Sequence, residues 1–229
     1  MELRLLGHAA CVLTTSARES LVIDPYESGG FGGAMAYAPI EHVCDWVVCS
    51  HQHLDHCATH LLPGDPVVID GEGTFGAFQI RRHTTAHDEY DGRRRGGSVD
   101  ILEIVADGAR VVHLSDVGQS PTSALVDALR EPDVLIVPVG GFFTIGAAQA
   151  HEWSERLAPR WVVPCHYATP SCSLPIREVD IFTAYFARAH RLDVSVFRVD
   201  NQRERGLWVL PMMNEVGGEH GASGAGART

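Results

Sequence analysis

One short segment of the chain concentrates side chains that can bind metal ions, the run SHQHLDH at residues 50–56. His51 and His53 are two positions apart, so an extended backbone points both in the same direction. Asp55 and His56 then need a turn to face the same pocket. One ion does not easily take all four groups, so the segment indicates two neighbouring ions that share them. Such a density of ligating groups is not typical of a solvated polar loop.

These ligand types indicate the chemistry that the segment serves. Nitrogen and oxygen ligands without thiolate suit Zn²⁺, Mn²⁺ or iron, and the ligand types alone do not separate these metals. Two ions about 3.5–4 Å apart can hold one hydroxide between them, and a metal-bound water ionises near neutral pH. We expect Asp55 also to accept a hydrogen bond from that water and orient it, which makes it the predicted catalytic residue.

The elements around the segment predict how it is positioned. It directly follows 46–49, an apolar run typical of a fully buried strand, and a strand end holds side chains at a rigid place. Further strands are predicted at 3–6, 10–14, 21–23, 67–69, 79–85, 99–105, 111–114, 134–137, 161–163, 194–199 and 207–210. Helices are predicted at 121–130, 147–157 and 178–190, and a glycine-rich loop at 28–34. This order favours an α/β fold in which two sheets pack together with helices outside.

Two further patterns in the chain have local interpretations. Ser120 and Pro121 suit the N-cap and first position of the helix predicted at 121–130. The run GEGTFG at 71–76 matches the spacing of a dinucleotide-binding loop and follows a strand. The residues after it are rich in strand formers, whereas that motif needs a helix there. We therefore reject a dinucleotide site.

The composition excludes several classes of protein. Of the 229 residues, 45% are hydrophobic and 21% charged, so the chain can bury a core and is not globally disordered. The formal net charge is -11 and all 18 cationic side chains are Arg, which argues against nucleic acid or an anionic membrane as partner. The chain shows no signal-peptide or membrane-span pattern. Its six cysteines form no CxxC pair, and the cytoplasm is the expected compartment.

The HxHxDH pattern resembles the zinc motif of the metallo-β-lactamase superfamily, and the resemblance extends over about residues 1–211. Segments 87–89, 113–116 and 135–143 resemble the small stand-alone bacterial hydrolases related to the ascorbate-6-phosphate lactonase group. Ser115 departs from the pattern, because a glycine usually stands there. The resemblance implies an αββα four-layer sandwich of two mixed sheets, with one domain at 1–211 and a flexible tail at 212–229.

The resemblance also implies a complete set of metal ligands. His87, Asp116 and His166 each follow a predicted strand in the expected order. By this resemblance, two divalent ions are held, most simply zinc, with manganese or iron as alternatives. The first ion is assigned His51, His53 and His87; the second is assigned Asp55, His56 and His166; and Asp116 bridges the two.

Several nearby residues compete for these assignments or extend them. His83 is a rival third ligand, but His87 closes the strand-like run and begins the family-like His-Asp pair. His113 is interpreted as a buried histidine, and Cys165 as a neighbour of the ligand His166. His8 is predicted to line the site from the first hairpin. Arg93, Arg94 and Arg95 follow His87 closely and are candidates to bind an anionic part of the substrate; a solvated loop is the alternative interpretation.

The sequence therefore predicts a binuclear metal-dependent hydrolase of a small ester, lactone or phosphodiester, which is expected to be anionic if an arginine of this run faces the pocket. A nucleic-acid phosphodiesterase on the same scaffold is the first alternative. A metal-binding or redox-sensing module without turnover is the second. The sequence does not decide the oligomeric state, and a homo-oligomer stays an alternative.

Overall fold

Two mixed β-sheets form the framework of the chain in a computed structural model that describes residues 1–94, 97–200 and 203–216. The strands are β1 (Glu2–Gly7), β2 (Ala10–Thr14), β3 (Ser20–Ile23), β4 (Trp46–Val48), β5 (Val67–Ile69), β6 (Gly73–Phe75), β7 (Phe78–Ala86), β8 (Ser98–Ala106), β9 (Ala109–His113), β10 (Val134–Pro138), β11 (Trp161–Cys165), β12 (Ala189–Arg191), β13 (Phe197–Arg198) and β14 (Gly206–Val209). The helices are α1 (Ser123–Leu129), α2 (Ala147–Leu157) and α3 (Val179–Thr183), with a 3-10 turn at Thr59–Leu61.

Strand direction within the sheets decides which strand ends meet. The first sheet has the order β13-β1-β2-β3-β4-β5, and the second has the order β12-β14-β11-β10-β9-β8-β7-β6. β1 and β3 are both antiparallel to β2, and β4 is parallel to β3, so these three run in one direction. By the same reasoning β7, β9 and β11 share a direction in the second sheet.

The two sheets share one hydrophobic core within the described residues. The strands β10 and β11 are buried along their whole length, as expected for parallel strands covered on both faces. Helix α2 packs against β10, and α1 and α3 pack against α2. These layers match the predicted sandwich, with few helices around the sheets. None of the described helices combines the length and hydropathy that a membrane crossing requires.

Most predicted elements are present, and three differ from the prediction. The helix expected at 178–190 ends at Thr183, because residues 189–191 instead pair with β14 as an edge strand. The strand expected at 194–199 is reduced to β13, the two residues that pair with β1. Helix α1 is capped by Thr122, whose Oγ1 accepts a hydrogen bond from the amide of Leu125 at 3.2 Å, and not by Ser120. Tertiary pairing and local hydrogen bonds override the weak preferences of these segments.

The 71–76 run is not a dinucleotide-binding loop, as the sequence interpretation concluded. It contains β6, which was not predicted, and β6 forms a hairpin with β7 where that motif needs a helix. At the other end of the chain, the amides of Met213 and Asn214 donate to the carbonyl oxygens of Leu5 and Leu6 at 3.0 and 2.9 Å. The first residues of the predicted tail are thus bound to β1, and residues 217–229 lie outside the described residues.

Candidate metal centre

The candidate ligands meet where strands of the same direction end. Strands β1, β3 and β4 from the first sheet and β7, β9 and β11 from the second deliver their carboxyl ends to one place. The residues that follow these ends are His8, Asp24, the segment 51–56, His87, Asp116 and His166. Strand pairing within each sheet and the packing of the two sheets on a shared core therefore bring these side chains close to one another.

The structure gathers the seven predicted ligands into adjoining groups. In each group the ligand atoms lie within 4.8 Å of one another. The groups are His51, His53 and His87; His8, Asp55, His56 and His166; and His51, His56 and Asp116. The first group matches the set assigned to the first ion, and the second contains the three residues assigned to the second ion together with His8.

Asp116 lies between the two sets, with a different set facing each carboxylate oxygen. Its Oδ2 is 3.4 Å from His87 Nε2 and 4.0 Å from His51 Nε2. Its Oδ1 is 3.0 Å from His56 Nε2 and 3.5 Å from His166 Nε2. A carboxylate in this position can contact two ions at once.

The buried nitrogen atoms of the cluster fit a cation. Within the described part of the chain, Nε2 of His56, His87 and His166 is buried and close to Asp116 but makes no hydrogen bond of acceptable geometry, and buried polar atoms normally make one. Burial lowers the pKa of His51 to about 4 and that of His166 to about 3. These rings are therefore neutral at pH 7, the form that binds a metal.

The carboxylates of the cluster make the same pocket attractive to positive charge. Burial alone lowers the pKa of His56, but the carboxylates of Asp116, Asp55 and Asp24 outweigh burial and raise it well above its usual range. Burial alone raises the pKa of Asp116, and the neighbouring His56 and His166 reverse that effect and lower it. Divalent ions satisfy a buried group of carboxylates and neutral imidazoles. The donor set therefore fits the metals that the sequence predicts.

Asp24 contacts a proposed ligand, although the sequence interpretation did not assign it to the site. It is fully buried and follows β3. Its Oδ2 lies 2.9 Å from His56 Nδ1 and accepts hydrogen bonds at 2.8 Å from the hydroxyls of Ser50 and Ser115. Its Oδ1 accepts the Ser50 amide at 2.7 Å. The carboxylate thus holds the proton of His56 on Nδ1 and directs Nε2 into the cluster, an arrangement that orients metal-binding histidines. A buried polar residue directly after an apolar strand was the available signal.

Backbone conformation at the strand ends is unusual around this site. His8, Asp24, Ser115 and His166 have φ values of 54°, 49°, 50° and 51°. Residues other than glycine rarely adopt this left-handed region, which costs about 1–3 kcal/mol and occurs preferentially at functional sites. The left-handed backbone at Ser115 explains why a glycine usually stands at this position in the family, because glycine adopts this conformation freely. In this chain the serine hydroxyl adds a hydrogen bond to Asp24.

Gly118 is required by close packing behind one ligand. A Cβ atom at Gly118 would lie 2.3 Å from the backbone of His87 and Asp88. The Gly118 amide also donates to the carbonyl of Ala86 at 3.0 Å. Any side chain here would push the end of β7, and His87 with it, away from Asp116.

The competing residues have other contacts. His83 lies on β7 with Nε2 2.9 Å from Glu103 Oε2, and Arg110 Nε donates to the other oxygen of Glu103 at 2.7 Å. His113 is buried, with Nε2 3.0 Å from the carbonyl of Ala9. Cys165 is buried in β11, and no metal-binding group found among the described residues contains a cysteine.

His8 lies inside the cluster and is fully buried. Its Nε2 is 3.3 Å from Asp55 Oδ2, and its ring centroid is 3.9 Å from that of His166. Its carbonyl accepts the His166 amide at 3.0 Å, which ties the turn after β1 to the end of β11. A contact between His8 and substrate stays a prediction.

The three arginines after His87 have different positions. Arg94 lies over the Tyr90 ring, with Cζ 3.7 Å from its centroid. The Arg94 amide donates to Asp88 Oδ2 at 2.7 Å, and this carboxylate organises the loop. Arg93 is exposed and lies 3.4 Å from Asp91. Arg95 lies outside the described residues.

Three cavities adjoin the candidate ligands, and the largest of them, of about 710 Å³, is lined by His51 and His53 together with Arg82 and Asp100. The cavity called the main pocket has a volume of about 450 Å³ and is lined by Asp116 and by ligands assigned to both ions. Its lining residues are Phe31, Gln52, His53, Leu54, Asp55, His87, Asp116, Phe143 and Leu174. A side pocket of about 200 Å³ shares His87 and Phe143 with it and extends to Tyr90, Arg94 and Gln149. A small molecule can thus reach the cluster and the Arg94 loop together.

The chain is similar to known metal-dependent hydrolases. A family model described as the β-lactamase superfamily domain matches residues 2–166. A UPF0173 metal-dependent hydrolase of Thermococcus onnurineus is 29% identical over 195 residues, which cover 74% of this chain and 85% of the relative. A solved structure from Thermotoga maritima, described as a candidate zinc-dependent hydrolase of the metallo-β-lactamase superfamily, is 30% identical with a TM-score of 0.72, over 91% of this chain and 97% of that one. A metallo hydrolase from Ignicoccus hospitalis, 22% identical, shares the fold with a TM-score of 0.58 over 80% of this chain and 89% of that one. This chain therefore belongs to the metallo-β-lactamase superfamily and is a metal-dependent hydrolase.

Proposed function

We propose that the chain is a binuclear hydrolase that holds two zinc ions and cleaves a small ester, lactone or phosphodiester. The observation that carries this proposal is the position of Asp116, whose two carboxylate oxygens face different sets of histidines. A site for one ion needs no carboxylate between two ligand sets. The abundance of neutral imidazole ligands supports zinc over magnesium or calcium, which prefer oxygen ligands.

The residues of the chain then have separate tasks in hydrolysis. Two divalent ions bound here supply a water of near-neutral pKa and polarise the scissile carbonyl or phosphoryl oxygen. Asp55 lines the main pocket, so its carboxylate is placed to accept a hydrogen bond from the attacking water and orient it. Asp24 keeps the His56 proton on Nδ1. A substrate that packs against the apolar side chains over the cluster would displace bulk water, which strengthens electrostatic interactions inside the pocket.

The pocket sizes support a small-molecule substrate. A volume of about 450 Å³ lies within the range of ligand pockets. Arg94 in the side pocket supports the proposal that part of the substrate is anionic. Binding of single-stranded nucleic acid needs a positive groove along the phosphate backbone. Among the described residues that line the three cavities beside the ligands, the cationic side chains are Arg94 and Arg82, and Arg82 is paired with Asp100 at 3.0 Å. We therefore favour a small molecule over nucleic acid.

All six cysteines are free thiols, which supports a reducing compartment such as the cytoplasm.

Metal counting and substitution of the bridging residue test the binuclear proposal. Elemental analysis of metal-replete protein should give close to two zinc ions per chain. Asp116→Ala should lower that number and reduce turnover of chromogenic esters or bis-(p-nitrophenyl) phosphate by at least about 10²-fold, because it removes an electrostatic group between two cations. Near-normal activity in Asp116→Ala, or well under one metal per wild-type chain, contradicts the binuclear mechanism.

A matched pair of histidines tests the ligand assignment. His83 and His87 are four residues apart, but only His87 lies in the cluster. His87→Ala should lose metal, and His83→Ala should keep it.

Metal-loaded protein that hydrolyses none of the chromogenic substrates would favour the binding module instead, and metal-dependent cleavage of labelled RNA or DNA would favour the nuclease.

A further inference from the structure

The main pocket combines a polar floor with an apolar rim. Candidate ligands such as Asp55 and His87 form the floor, and Phe31, Leu54, Phe143 and Leu174 stand around it. A substrate whose reacting carbonyl or phosphoryl lies at the floor must therefore place its adjoining atoms against hydrocarbon. Gln52 is the one polar side chain among the described lining residues outside the candidate ligands, so most polar or charged atoms placed against this hydrocarbon would lose hydration without a hydrogen-bond partner.

Two of the four rim side chains are unusually exposed for their type, whereas Phe143 and Leu174 are partly buried against the core. Phe31 is 49% exposed and Leu54 is 59% exposed. Nearby Phe142, which lines the side pocket, is 59% exposed and packs edge-on against Phe143, with the ring centroids 4.7 Å apart. Single exposed apolar residues are common, but a group of them around a cavity indicates a ligand surface.

The backbone at two of these aromatic residues is a second, independent observation. Phe31 has a φ of 53° and Phe142 a φ of 64°, in the left-handed region that bulky residues rarely adopt. Phe31 stands in a loop where Gly29, Gly32 and Gly33 have positive φ as well. A glycine would adopt these conformations freely at either position. Strain at a solvent-exposed aromatic residue that packing of the core does not require indicates that the side chain itself has a use at the site.

We propose that the substrate carries an uncharged hydrocarbon group next to its scissile bond and that Phe31, Leu54, Phe143 and Leu174 bind this group. The inference rests on the proposed hydrolase function, because it places the reacting atoms at the metal ligands. The hydrocarbon group lies in the main pocket, and any anionic group of the substrate extends toward Arg94. Phe31 is a specificity-determining residue, since its loop holds an aromatic ring at the entrance.

Straight-chain carboxylates serve as product analogues for a binding test of this proposal. Their carboxylate resembles a product at the metal ligands, and their chain length varies only the hydrocarbon. Calorimetric titration of zinc-loaded protein with acetate, butyrate, hexanoate and octanoate should show affinity rising with length. Burial of each methylene corresponds to about a four-fold gain in affinity, so hexanoate should bind at least about 30-fold more tightly than acetate, allowing for incomplete burial.

Matched variants then assign the effect to the rim. Phe31→Ala should flatten the length dependence by about 10-fold between acetate and hexanoate, while the bound zinc stays unchanged. Tyr185→Ala is the control, because Tyr185 is an aromatic residue that is 47% exposed and does not line the main pocket. It should leave the length dependence intact.

The outcomes separate this inference from the function on which it rests. A flat length series in wild-type protein overturns the hydrocarbon proposal, even if short esters are hydrolysed in a zinc-dependent manner. A length dependence that survives in Phe31→Ala overturns the role of Phe31. A retained length dependence without any zinc-dependent hydrolysis of the corresponding p-nitrophenyl esters supports the hydrocarbon site and counts against the proposed function.

Discussion

Substitution of Asp24 by Asn should weaken metal binding although Asp24 is not a proposed ligand. The change conserves side-chain volume, and asparagine tolerates the left-handed backbone found at Asp24, where φ is 49°. The Ser50 amide can only donate, and it lies 2.7 Å from Oδ1. The amide oxygen of the introduced asparagine must therefore occupy that place, which puts its NH₂ group where Oδ2 faces His56.

The new NH₂ group changes which ring nitrogen of His56 carries the proton. It donates to Nδ1, so the proton of the neutral ring moves to Nε2, which lies 3.0 Å from Asp116 Oδ1 and faces the metal ligands. That proton must leave before His56 can bind an ion. Loss of a residue that orients a metal ligand typically costs about 10–100-fold in metal affinity, or about 1.4–2.8 kcal/mol.

Competition against a chromogenic zinc chelator measures this loss. Wild type and Asp24→Asn are compared in the same titration, with circular dichroism to check that both are folded. Asp45→Asn is the control, because exposed Asp45 likewise accepts the amide and hydroxyl of a serine, Ser20, at 2.8 and 3.3 Å, away from the cluster. Equal zinc affinity in Asp24→Asn and Asp45→Asn would refute the role assigned to Asp24.

Three further substitutions test separate parts of the structure. Arg94→Gln should raise KM for an anionic substrate by about 10–100-fold through loss of a charge-assisted hydrogen bond, whereas Arg93→Gln should not; equal effects in steady-state kinetics would make the loop structural. Gly118→Ala should displace His87 and remove about one zinc ion by elemental analysis, and full metal content would contradict the close contact. Glu103→Gln should lower the free energy of unfolding at pH 7 by about 1–3 kcal/mol. Burial alone raises the Glu103 pKa, but hydrogen bonds from its neighbours lower it below its usual value of 4.5, so the stabilisation exists above that value and is lost as pH falls through the folded-state pKa. A difference in urea denaturation that persists unchanged at acidic pH would contradict this assignment.

The ligand set could be predicted because its members obey simple rules of position. Each proposed ligand follows a strand, and short apolar strands are readable from sequence. His87 and His83 show where that reasoning reaches its limit. Both are histidines of the same strand-like run, and only the pairing of β7 with β8 shows that His83 meets Glu103.

The orientation of the ligands could not be predicted, because it depends on contacts between distant segments. Asp24 and His56 are 32 positions apart, and Ser115 is 91 positions from Asp24. Nothing local marks an aspartate before a proline as the partner of a histidine. For the same reason the sequence could not separate Arg94, which lies beside the pocket, from Arg93, which is exposed to solvent, because the two are adjacent in the chain.

Residues with a left-handed backbone conformation explain why this site can be both rigid and hard to predict. After a strand, a residue with positive φ reverses the direction in which the chain presents its side chains, so one position suffices to turn a ligand into the pocket. His8, Asp24, Ser115 and His166 all have this conformation, and propensities based on ordinary backbone regions do not anticipate it. Such residues persist where surrounding bonds fix them. The bonds of Asp24 to Ser50 and Ser115, and of His8 to the amide of His166, do so here. The same contacts that hold the strained backbone therefore also hold the two ligand sets on either side of Asp116.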